Sequence, residues 1–268
     1  METLPTISVV VPSLNQARYL ETTLRSVLDQ QYPGLELIVI DGGSKDRSAE
    51  IIRKYEQRIE FWCSEPDGGQ VQGIIKGFSH ATGEILCFLN SDDLFEPHVL
   101  QEVGQYFSQH PDVDAVFGDA LWIDAEGNAL RPQKEIPFRR FIWLHTYNYI
   151  PGMSMFWRRT IYDRVGGLNP AFQLCFDADL WIRFSEHGKI KHVARQWSRM
   201  RFYPEQKNRR LHDQSDREDM LIRSRYWKGQ AAPSTYHLCR TIALGVRIIW
   251  KLLSGCYTRG YRRHMEKA

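Results

Sequence analysis

Apolar runs of strand length alternate with segments of helical period over the first 90 residues of the chain. In the intervening segments apolar residues recur every three or four positions, as at Leu20, Leu24 and Val27. The strand-length runs are Ile7–Val11, Leu35–Ile40, Ile59–Cys63 and Glu84–Leu89. Strands that alternate with helices predict right-handed βαβ units, and therefore a mostly parallel sheet with helices on both faces.

The pattern changes after residue 93. It predicts a helix over 97–110, a strand at Ala115–Gly118 and a hairpin turn at Asp124–Asn128, followed by sequence rich in aromatic residues and glycine. From about residue 211 the chain reads as helical and basic. We expect an α/β fold, with a Rossmann-like, mostly parallel sheet, a mixed second half and C-terminal basic helices. The expected domains are residues 1–210 and a helical tail over 211–268.

Composition narrows the class of protein. The chain has 268 residues, and its five cysteines are scattered without a paired motif, which favours neither a disulfide framework nor a zinc module. Residues 1–200 carry a net charge of −6 and residues 201–268 a net charge of +9. The acidic body argues against a nucleic-acid partner, whereas the basic tail favours an anionic one. The N-terminus lacks a signal-peptide pattern, so we expect a cytoplasmic protein.

The candidate functional residues are those directly after the predicted strands, because ligands of open parallel sheets bind at the carboxyl ends of the strands. These segments hold neither G-x-G-x-x-G nor a Walker A motif, which argues against a dinucleotide-dependent oxidoreductase or a P-loop enzyme. Two of them, Asp41–Asp46 and Glu65–Gln70, combine acids with glycines. Each is also typical of a turn that caps a helix.

The fourth segment ends a buried strand with two adjacent acids, Asp92 and Asp93. Mg²⁺ and Mn²⁺ prefer oxygen ligands and commonly take one or two carboxylates together with substrate phosphates. These acids therefore predict a divalent-cation site, with a helix N-cap as the alternative for one of them.

Several ordered motifs make residues 5–210 resemble the family 2 glycosyltransferases, inverting nucleotide-sugar enzymes of the GT-A fold. The motifs are Ser8–Asn15, Val39–Asp46, Ser64–Gln70, Gly83–Asp93, Met155–Arg159, Val165–Leu168 and Phe176–Arg183. The resemblance implies transfer of a sugar from a nucleotide-diphosphate donor to a glycan or lipid-linked acceptor at the inner face of the membrane.

The resemblance also implies roles for single residues. Asp92, with Asp93 beside it, would face Mn²⁺ or Mg²⁺, and Asp177 stands where the family has its catalytic base. The implied donor-binding residues are Pro12, Ser13, Asn15, Asp41, Asp67, Lys76, Asn90 and Ser91. Departures from the family pattern are Gln72, Ile75 and Tyr203, which stand where relatives often have Asp, Asn and His. Gln72 and Ile75 keep open a non-catalytic sugar-nucleotide-binding or scaffolding role.

Inverting transfer needs a carboxylate that removes the proton of the acceptor hydroxyl. Asp177 and Asp179 are both candidates, and we favour Asp177. Because they lie two residues apart at the start of a helical pattern, their side chains point in different directions. One of them can face the cleft while the other caps the helix or pairs with Arg183. For both, a helix first turn that favours acids is the alternative explanation.

The tail predicts an amphipathic helix within residues 235–268. Arg240, Arg247 and Lys251 fall on one narrow stripe, and nearly all other positions from Thr241 to Cys256 are apolar or small. A basic stripe beside an apolar face favours peripheral contact with an anionic membrane. The alternative is a terminal helix that buries its apolar side on the rest of the chain or in a dimer interface.

Overall fold

The computed structural model describes residues 4–227 and 233–256. The strands in this part of the chain are β1 (Ile7–Ser13), β2 (Leu35–Asp41), β3 (Phe61–Ser64), β4 (Ile85–Phe88), β5 (Leu94–Phe95), β6 (Ala115–Ile123), β7 (Ala129–Gln133), β8 (Met155–Arg158) and β9 (Ile190–Arg201). They form one sheet in the order β3-β2-β1-β4-β8-β6-β9-β5, with β7 paired to β6. β1 to β4 are parallel neighbours, whereas β8 is antiparallel to both β4 and β6. The predicted α/β class with a mixed second half is confirmed.

The helices are α1 (Leu20–Leu28), α2 (Ser48–Lys54), α3 (Gln70–His80), α4 (Val99–Gln109), α5 (Arg140–His145), α6 (Arg159–Arg164), α7 (Phe176–His187), α8 (Lys207–Arg210), α9 (His212–Tyr226) and α10 (Pro233–Leu253). Short 3-10 turns lie at Glu56–Arg58 and Gly152–Ser154. The hairpin predicted at Asp124–Asn128 joins β6 to β7, and the Asp124 N–H donates to the Asn128 carbonyl at 2.9 Å. Strand β9 is not predicted, because its many basic residues obscure the period-two alternation of a half-buried strand.

The core surrounds β1, whose seven residues are all buried. Helix α3 lies so close to this strand that a Cβ at Gly77 would be 2.3 Å from Val10 Cγ1. Only glycine allows this approach. The close packing seats the N-terminal end of α3 beside the carboxyl ends of the strands.

Helix α9 docks on the body through Arg223, whose side chain is 2% exposed. Its guanidinium pairs with Asp219 at 2.6 Å and donates to the carbonyls of Trp143 and Leu144 at the end of α5. Residues of the predicted tail therefore pack directly against the predicted catalytic domain.

Helix α10 docks through its basic stripe. Arg247 and Lys251 donate to the buried carboxylate of Glu135 at 2.8 and 3.0 Å. The opposite face is exposed and apolar, and it consists of Leu238, Ile242, Val246, Ile248, Ile249, Leu252 and Leu253. We name this surface the apolar face of α10.

The expected outward orientation is therefore wrong for two of the three residues of this stripe, whereas Arg240 is exposed. Arg247 and Lys251 are turned inward and cannot meet lipid headgroups, because a buried carboxylate at Glu135 requires opposite charge. Burial of the apolar side on the body, the alternative expectation, is wrong as well. The basic residues beyond residue 256 lie outside the described part of the chain. Within that part, no helix has the length and apolar character needed to span a membrane.

Candidate functional site

The ends of β1 and β2 form one side of the site. The Gly42 N–H donates to the Ser13 carbonyl at 2.8 Å, the Asn15 N–H donates to Ser44 Oγ at 2.7 Å, and Asn15 Oδ1 accepts the Lys45 N–H at 2.8 Å. Asn15 adopts this position in the left-handed region, with φ of 53°. The two loops are thus joined into one rigid edge. Pro12, two residues before the loop, lies opposite Ile40 in the ladder.

Asp41 ties this edge to β3. Its fully buried carboxylate accepts hydrogen bonds from the Ser44 N–H at 2.9 Å, from Ser44 Oγ and from Ser64 Oγ at 2.6 Å. Beside it, Ser13 Oγ is buried and makes no hydrogen bond with the described residues. Ser13 therefore keeps a free polar group at this edge of the sheet.

Asp67 organises the loop before α3. Its Oδ1 accepts the Gly69 N–H at 2.8 Å, and a Cβ at Gly73 would lie 2.6 Å from its Oδ2. Lys76, one turn further along α3, forms an ion pair with Glu65, and this hydrogen bond raises the pKa of Lys76. In this structure the ammonium of Lys76 is directed to Glu65.

Asn90 joins α3 to the end of β4. Its Oδ1 accepts a hydrogen bond from Gln70 Nε2 at 2.7 Å, and its Nδ2 donates to Asp93 Oδ2 at 3.2 Å. Asp93 is buried, and its Oδ1 accepts the Arg201 N–H at 2.8 Å. Burial raises the pKa of Asp93 well above its usual range, with the neighbouring Asp92 charge adding to the shift. Asp93 is turned inward, so we leave it out of the proposed metal site.

Ser91 and Asp92 complete this segment. Ser91 is buried, and its carbonyl accepts a hydrogen bond from Thr23 Oγ1 at 3.0 Å. Asp92 Oδ2 accepts the hydroxyl of Tyr203 at 2.8 Å, and the Asp92 carbonyl accepts Arg201 Nε at 2.8 Å. Burial raises the pKa of Tyr203, which keeps this hydroxyl protonated and donating.

The described residues contain no group of three or more His, Cys, Asp or Glu side chains that could by itself hold a metal ion. Asp92 contributes one partly exposed carboxylate to the edge of the sheet. This donor set fits Mg²⁺ or Mn²⁺ in a nucleotide site, where substrate phosphates and water supply most ligands.

Asp177 lies in the first turn of α7. Its Oδ1 accepts the Ala178 N–H at 2.8 Å, and its Oδ2 accepts Asn148 Nδ2 at 2.9 Å. Desolvation by the surrounding protein raises the pKa of Asp177 to about 6. The carboxylate is therefore more basic than an ordinary aspartate and still ionised at neutral pH.

Asp179 has a structural role, because its carboxylate is bound by Arg183. Its Oδ2 accepts Nε and Nη2 of Arg183 at 2.9 and 2.7 Å, and Arg183 Nη1 donates to the carbonyls of Val165 and Gly167. The expectation that one of the two acids pairs with Arg183 is confirmed. Asp179 and Arg183 together anchor the loop that precedes α7.

The turn Gly152–Ser154 connects Asp177 with the end of β4. A Cβ at Gly152 would lie 3.4 Å from Asp177 Oδ2, and the next residue, Met153, receives the Asn90 N–H at its sulfur at 3.1 Å. The Asn90–Asp92 segment and the Asp177 carboxylate therefore lie on two sides of one short turn. The structure brings these two candidate groups into the same site.

The segment before α7 also receives two residues from the C-terminal part of the chain. The Glu218 carboxylate accepts the N–H groups of Gln173, Leu174 and Cys175 at 2.8 to 3.1 Å. Lys207 Nζ donates to the Gln173 carbonyl at 2.9 Å, and burial lowers the pKa of Lys207. Sequence reasoning missed Glu218 and Asn148, because neither lies in a recognisable motif.

An α/β sheet with polar and acidic side chains gathered at the carboxyl edge of its parallel strands places the protein among enzymes that bind ligands at that edge. Comparison with known families gives the class. The family model for glycosyl transferase family 2 matches residues 8–167. The chain belongs to this family and is a glycosyltransferase.

Similar proteins agree with this assignment. An uncharacterised glycosyltransferase of Mycobacterium tuberculosis (strain H37Rv) is 32% identical over 185 residues, which cover 68% of this chain and 70% of the relative. A PGL/p-HBAD biosynthesis glycosyltransferase of Mycobacterium bovis is 28% identical over 186 residues, covering 67% and 69%.

Solved structures show the same GT-A fold. Residues 1–349 of Staphylococcus aureus TarS in complex with UDP-GlcNAc match with a TM-score of 0.65 and 17% identity, over 89% of this chain and 71% of that one. The mannosyltransferase PcManGT of Pyrobaculum calidifontis, in complex with GDP-Man and Mn²⁺, matches with a TM-score of 0.63 and 16% identity, over 96% and 77%. This chain covers 43% of the longer TarS structure.

Proposed function

We propose that this glycosyltransferase is an inverting enzyme that moves a sugar from a nucleotide-diphosphate donor to an acceptor hydroxyl, with Asp177 as the base. The acceptor oxygen attacks the anomeric carbon, the bond to the diphosphate breaks, and the diphosphate leaves with the electron pair. The hydroxyl proton passes to the Asp177 carboxylate. Single displacement inverts the configuration at the anomeric carbon.

One observation carries the assignment of the base: Asp177 has a raised pKa of about 6 and lies across the Gly152–Ser154 turn from the Asn90–Asp92 segment. A base is most effective when its pKa lies near the working pH. Asp179 is the poorer candidate, because its carboxylate is buried in an ion pair with Arg183 and is not free to receive a proton.

For the donor, the structural neighbours TarS and PcManGT bind UDP-GlcNAc and GDP-Man, and we assign the same chemical class to this chain. The edge formed by Pro12, Ser13, Asn15 and Asp41 would take the nucleoside. The free hydroxyl of Ser13 supports this placement. Nearer the diphosphate we place Asp67, Lys76, Asn90 and Ser91, with Lys76 leaving Glu65 when phosphate is present.

A divalent cation, Mn²⁺ or Mg²⁺, would be held by Asp92 and supplies positive charge to the leaving diphosphate. The partly exposed Asp92 carboxylate and its contact with the Tyr203 hydroxyl support this assignment. Donor hydrolysis tests it. Nucleotide release from a panel of UDP- and GDP-sugars should require Mn²⁺ or Mg²⁺ and stop in excess chelator. Donor binding without any turnover would favour a sugar-nucleotide-binding scaffold instead.

For the acceptor we propose a glycan or a lipid-linked glycan, with the apolar face of α10 resting on the inner surface of the membrane. Seven exposed apolar side chains on one helix form a larger patch than isolated surface residues do, and such patches mark interaction sites. Insertion by this face depends on apolar area more than on headgroup charge.

Replacing Ile242 and Ile249 with Asp tests the membrane proposal, since both side chains are about half exposed. The double variant should keep donor binding and lose sedimentation with liposomes. Ser254→Asp, a charge added outside the apolar face, is the matched control. A wild-type protein that ignores both anionic and zwitterionic liposomes would contradict the proposal, and a change from dimer to monomer in the variant would indicate a second copy as the occupant.

A further inference from the structure

Asn148 lies between α5 and the Gly152–Ser154 turn, outside every motif that the sequence offers. The structure places its Nδ2 at 2.9 Å from Asp177 Oδ2. Its side chain is the only one among the described residues that is shown to donate a hydrogen bond to this carboxylate. The other donors to the carboxylate are backbone N–H groups, those of Ala178, at 2.8 Å, and of Asp177 itself.

The orientation of the Asn148 amide is fixed by its carbonyl oxygen. Oδ1 accepts the indole N–H of Trp143 and the backbone N–H of Ile150, each at 3.3 Å. A flipped amide would set its own N–H groups against these two donors and its oxygen against the carboxylate. The NH₂ group must therefore face Asp177.

The segment around Asn148 is held from outside the site. Arg223 of α9 stacks over the Trp143 ring at 4.5 Å, and Arg247 of α10 lies 4.5 Å from the Tyr147 ring and 5.2 Å from the Tyr149 ring. Both C-terminal helices thus grip the residues beside Asn148. The position of the Asn148 amide therefore depends on contacts from α9 and α10 as well as on its own segment.

The other groups that face Asp177 cannot replace this amide. Asp219 of α9 carries like charge and raises the pKa of Asp177, and Asp219 is itself paired with Arg223. Cys175 stays neutral, because burial raises its pKa to about 12. A hydrogen bond to the charged form of a carboxylate favours that form. The Asn148 amide therefore opposes the desolvation that the site imposes on Asp177.

We propose that Asn148 is a positioning residue that holds the Asp177 carboxylate ionised and oriented for proton removal. The proposal rests on the proposed function of Asp177 as the base. In this arrangement both carboxylate oxygens receive protein hydrogen bonds, and a lone pair is left to accept the proton of the acceptor hydroxyl.

The experiment compares pH profiles of kcat for hydrolysis of UDP-GlcNAc or GDP-Man, whichever the wild-type protein turns over with Mn²⁺. Asn148→Ala should move the acidic limb upward by about one pH unit, which is about a fivefold loss of kcat at pH 6, about a tenfold loss below pH 5 and a much smaller loss near pH 8.5. KM for the donor should change little. Asn148→Asp, which keeps the size of the side chain and adds like charge, should move the limb further.

Asn128→Ala is the matched control, because it removes an exposed asparagine amide in the β6–β7 hairpin turn, away from Asp177, and it should keep the wild-type profile. Melting temperature and donor affinity show whether each variant is folded. If Asn148→Ala does not fold, the pH profile of the isosteric Asn148→Asp variant tests the proposal in its place. A loss of equal size at every pH, or an unchanged profile, would overturn the positioning role. An active Asp177→Asn variant would instead refute the proposed base itself.

Discussion

Two acidic pairs lie on opposite sides of the Gly152–Ser154 turn, Asp92 with Asp93 at the end of β4 and Asp177 with Asp179 at the start of α7. In each pair one acid is buried and bound by the protein. Asp93 accepts from a backbone N–H and an asparagine amide, and Asp179 accepts a two-pronged contact from Arg183. The other acid of each pair keeps part of its surface exposed. In each pair, one carboxylate is therefore bound by the protein, and the other, Asp92 or Asp177, is accessible to a ligand.

The two available acids differ in what surrounds them. Asp92 receives a tyrosine hydroxyl, whereas Asp177 is desolvated and receives an asparagine amide. The first environment leaves a carboxylate suited to a cation, and the second produces a carboxylate suited to a proton. Partners far away in the chain decide the difference, because Tyr203 lies 111 residues from Asp92 and Asn148 lies 29 residues from Asp177.

The largest effect is expected at Asp177. Asp177→Asn keeps the shape of the side chain and removes the proton acceptor, so donor hydrolysis should fall by about 10³-fold or more while donor affinity stays within about twofold. Nucleotide release and a thermal shift with the donor measure the two quantities. If Asp179→Asn loses turnover and Asp177→Asn does not, the roles within this pair are reversed.

Asp179 should matter for stability instead. Asp179→Ala leaves Arg183 without its carboxylate in a mostly buried place, and the free energy of unfolding should drop by about 3 kcal/mol. Urea denaturation measures the drop, with Asp163→Ala, an exposed acid on α6, as the control. The folded fraction should keep near-normal turnover. An unchanged midpoint of unfolding would show that the ion pair contributes little.

Substitution of Asp92 tests the proposed cation site. Asp92→Ala should weaken Mn²⁺-dependent donor affinity by about 100-fold, because the diphosphate would enter an acidic edge without its counter-charge. Tyr203→Phe keeps the carboxylate and loses one hydrogen bond, so its effect should stay below about tenfold. Titration of nucleotide sugar with and without Mn²⁺ separates the two variants. Equal affinity of the Asp92→Ala variant in both conditions and at the wild-type level would refute a metal role for this residue.

The smallest change is expected in the pH dependence of folding. The pKa of Asp177 in the folded state, about 6, lies above its unfolded value, so the folded state binds the proton more tightly. The contribution of Asp177 to stability is full below about pH 4 and is lost as pH rises to about 6. Asp177→Asn should therefore raise the free energy of unfolding at pH 8 by about 2 kcal/mol, less than the roughly 3 kcal/mol of the full pKa shift because Asp177 keeps part of its surface exposed, and should change it little at pH 4. Urea midpoints at the two pH values measure the difference, and equal effects at both would argue against a raised pKa.

The parallel half of the sheet could be read from the sequence, because its four strands are short apolar runs between helices of clear period. The family motifs also marked the loops that meet at the edge of the sheet. Strand β9 could not be read in this way, since Lys191, Arg195, Arg199 and Arg201 interrupt its apolar and polar alternation, and its pairing with β6 and β5 depends on contacts distant in sequence. Local pattern carries no signal for such pairing.

The site shows the same limit. The helical spacing of Asp177, Asp179 and Arg183 allowed the prediction that one acid pairs with the arginine. The inward turn of Asp93 was not predictable, because it depends on the backbone N–H of Arg201, 108 residues away. The orientation of α10 was not predictable either. Its amphipathic pattern defines two faces, and only the buried Glu135 decides which of them meets the body.

Helix α10 is held mainly by charge and leaves most of its large apolar side chains unused by its own protein. The two faces of α10 can therefore be occupied at the same time, one by Glu135 and the other by whatever covers the apolar face. Because the two attachments use separate atoms, they do not compete, and α10 can act as an adaptor that joins the enzyme to a second surface without first detaching from it. The same geometry has a consequence for the purified protein. When no second surface covers the apolar face of α10, copies of the chain can associate with one another through it.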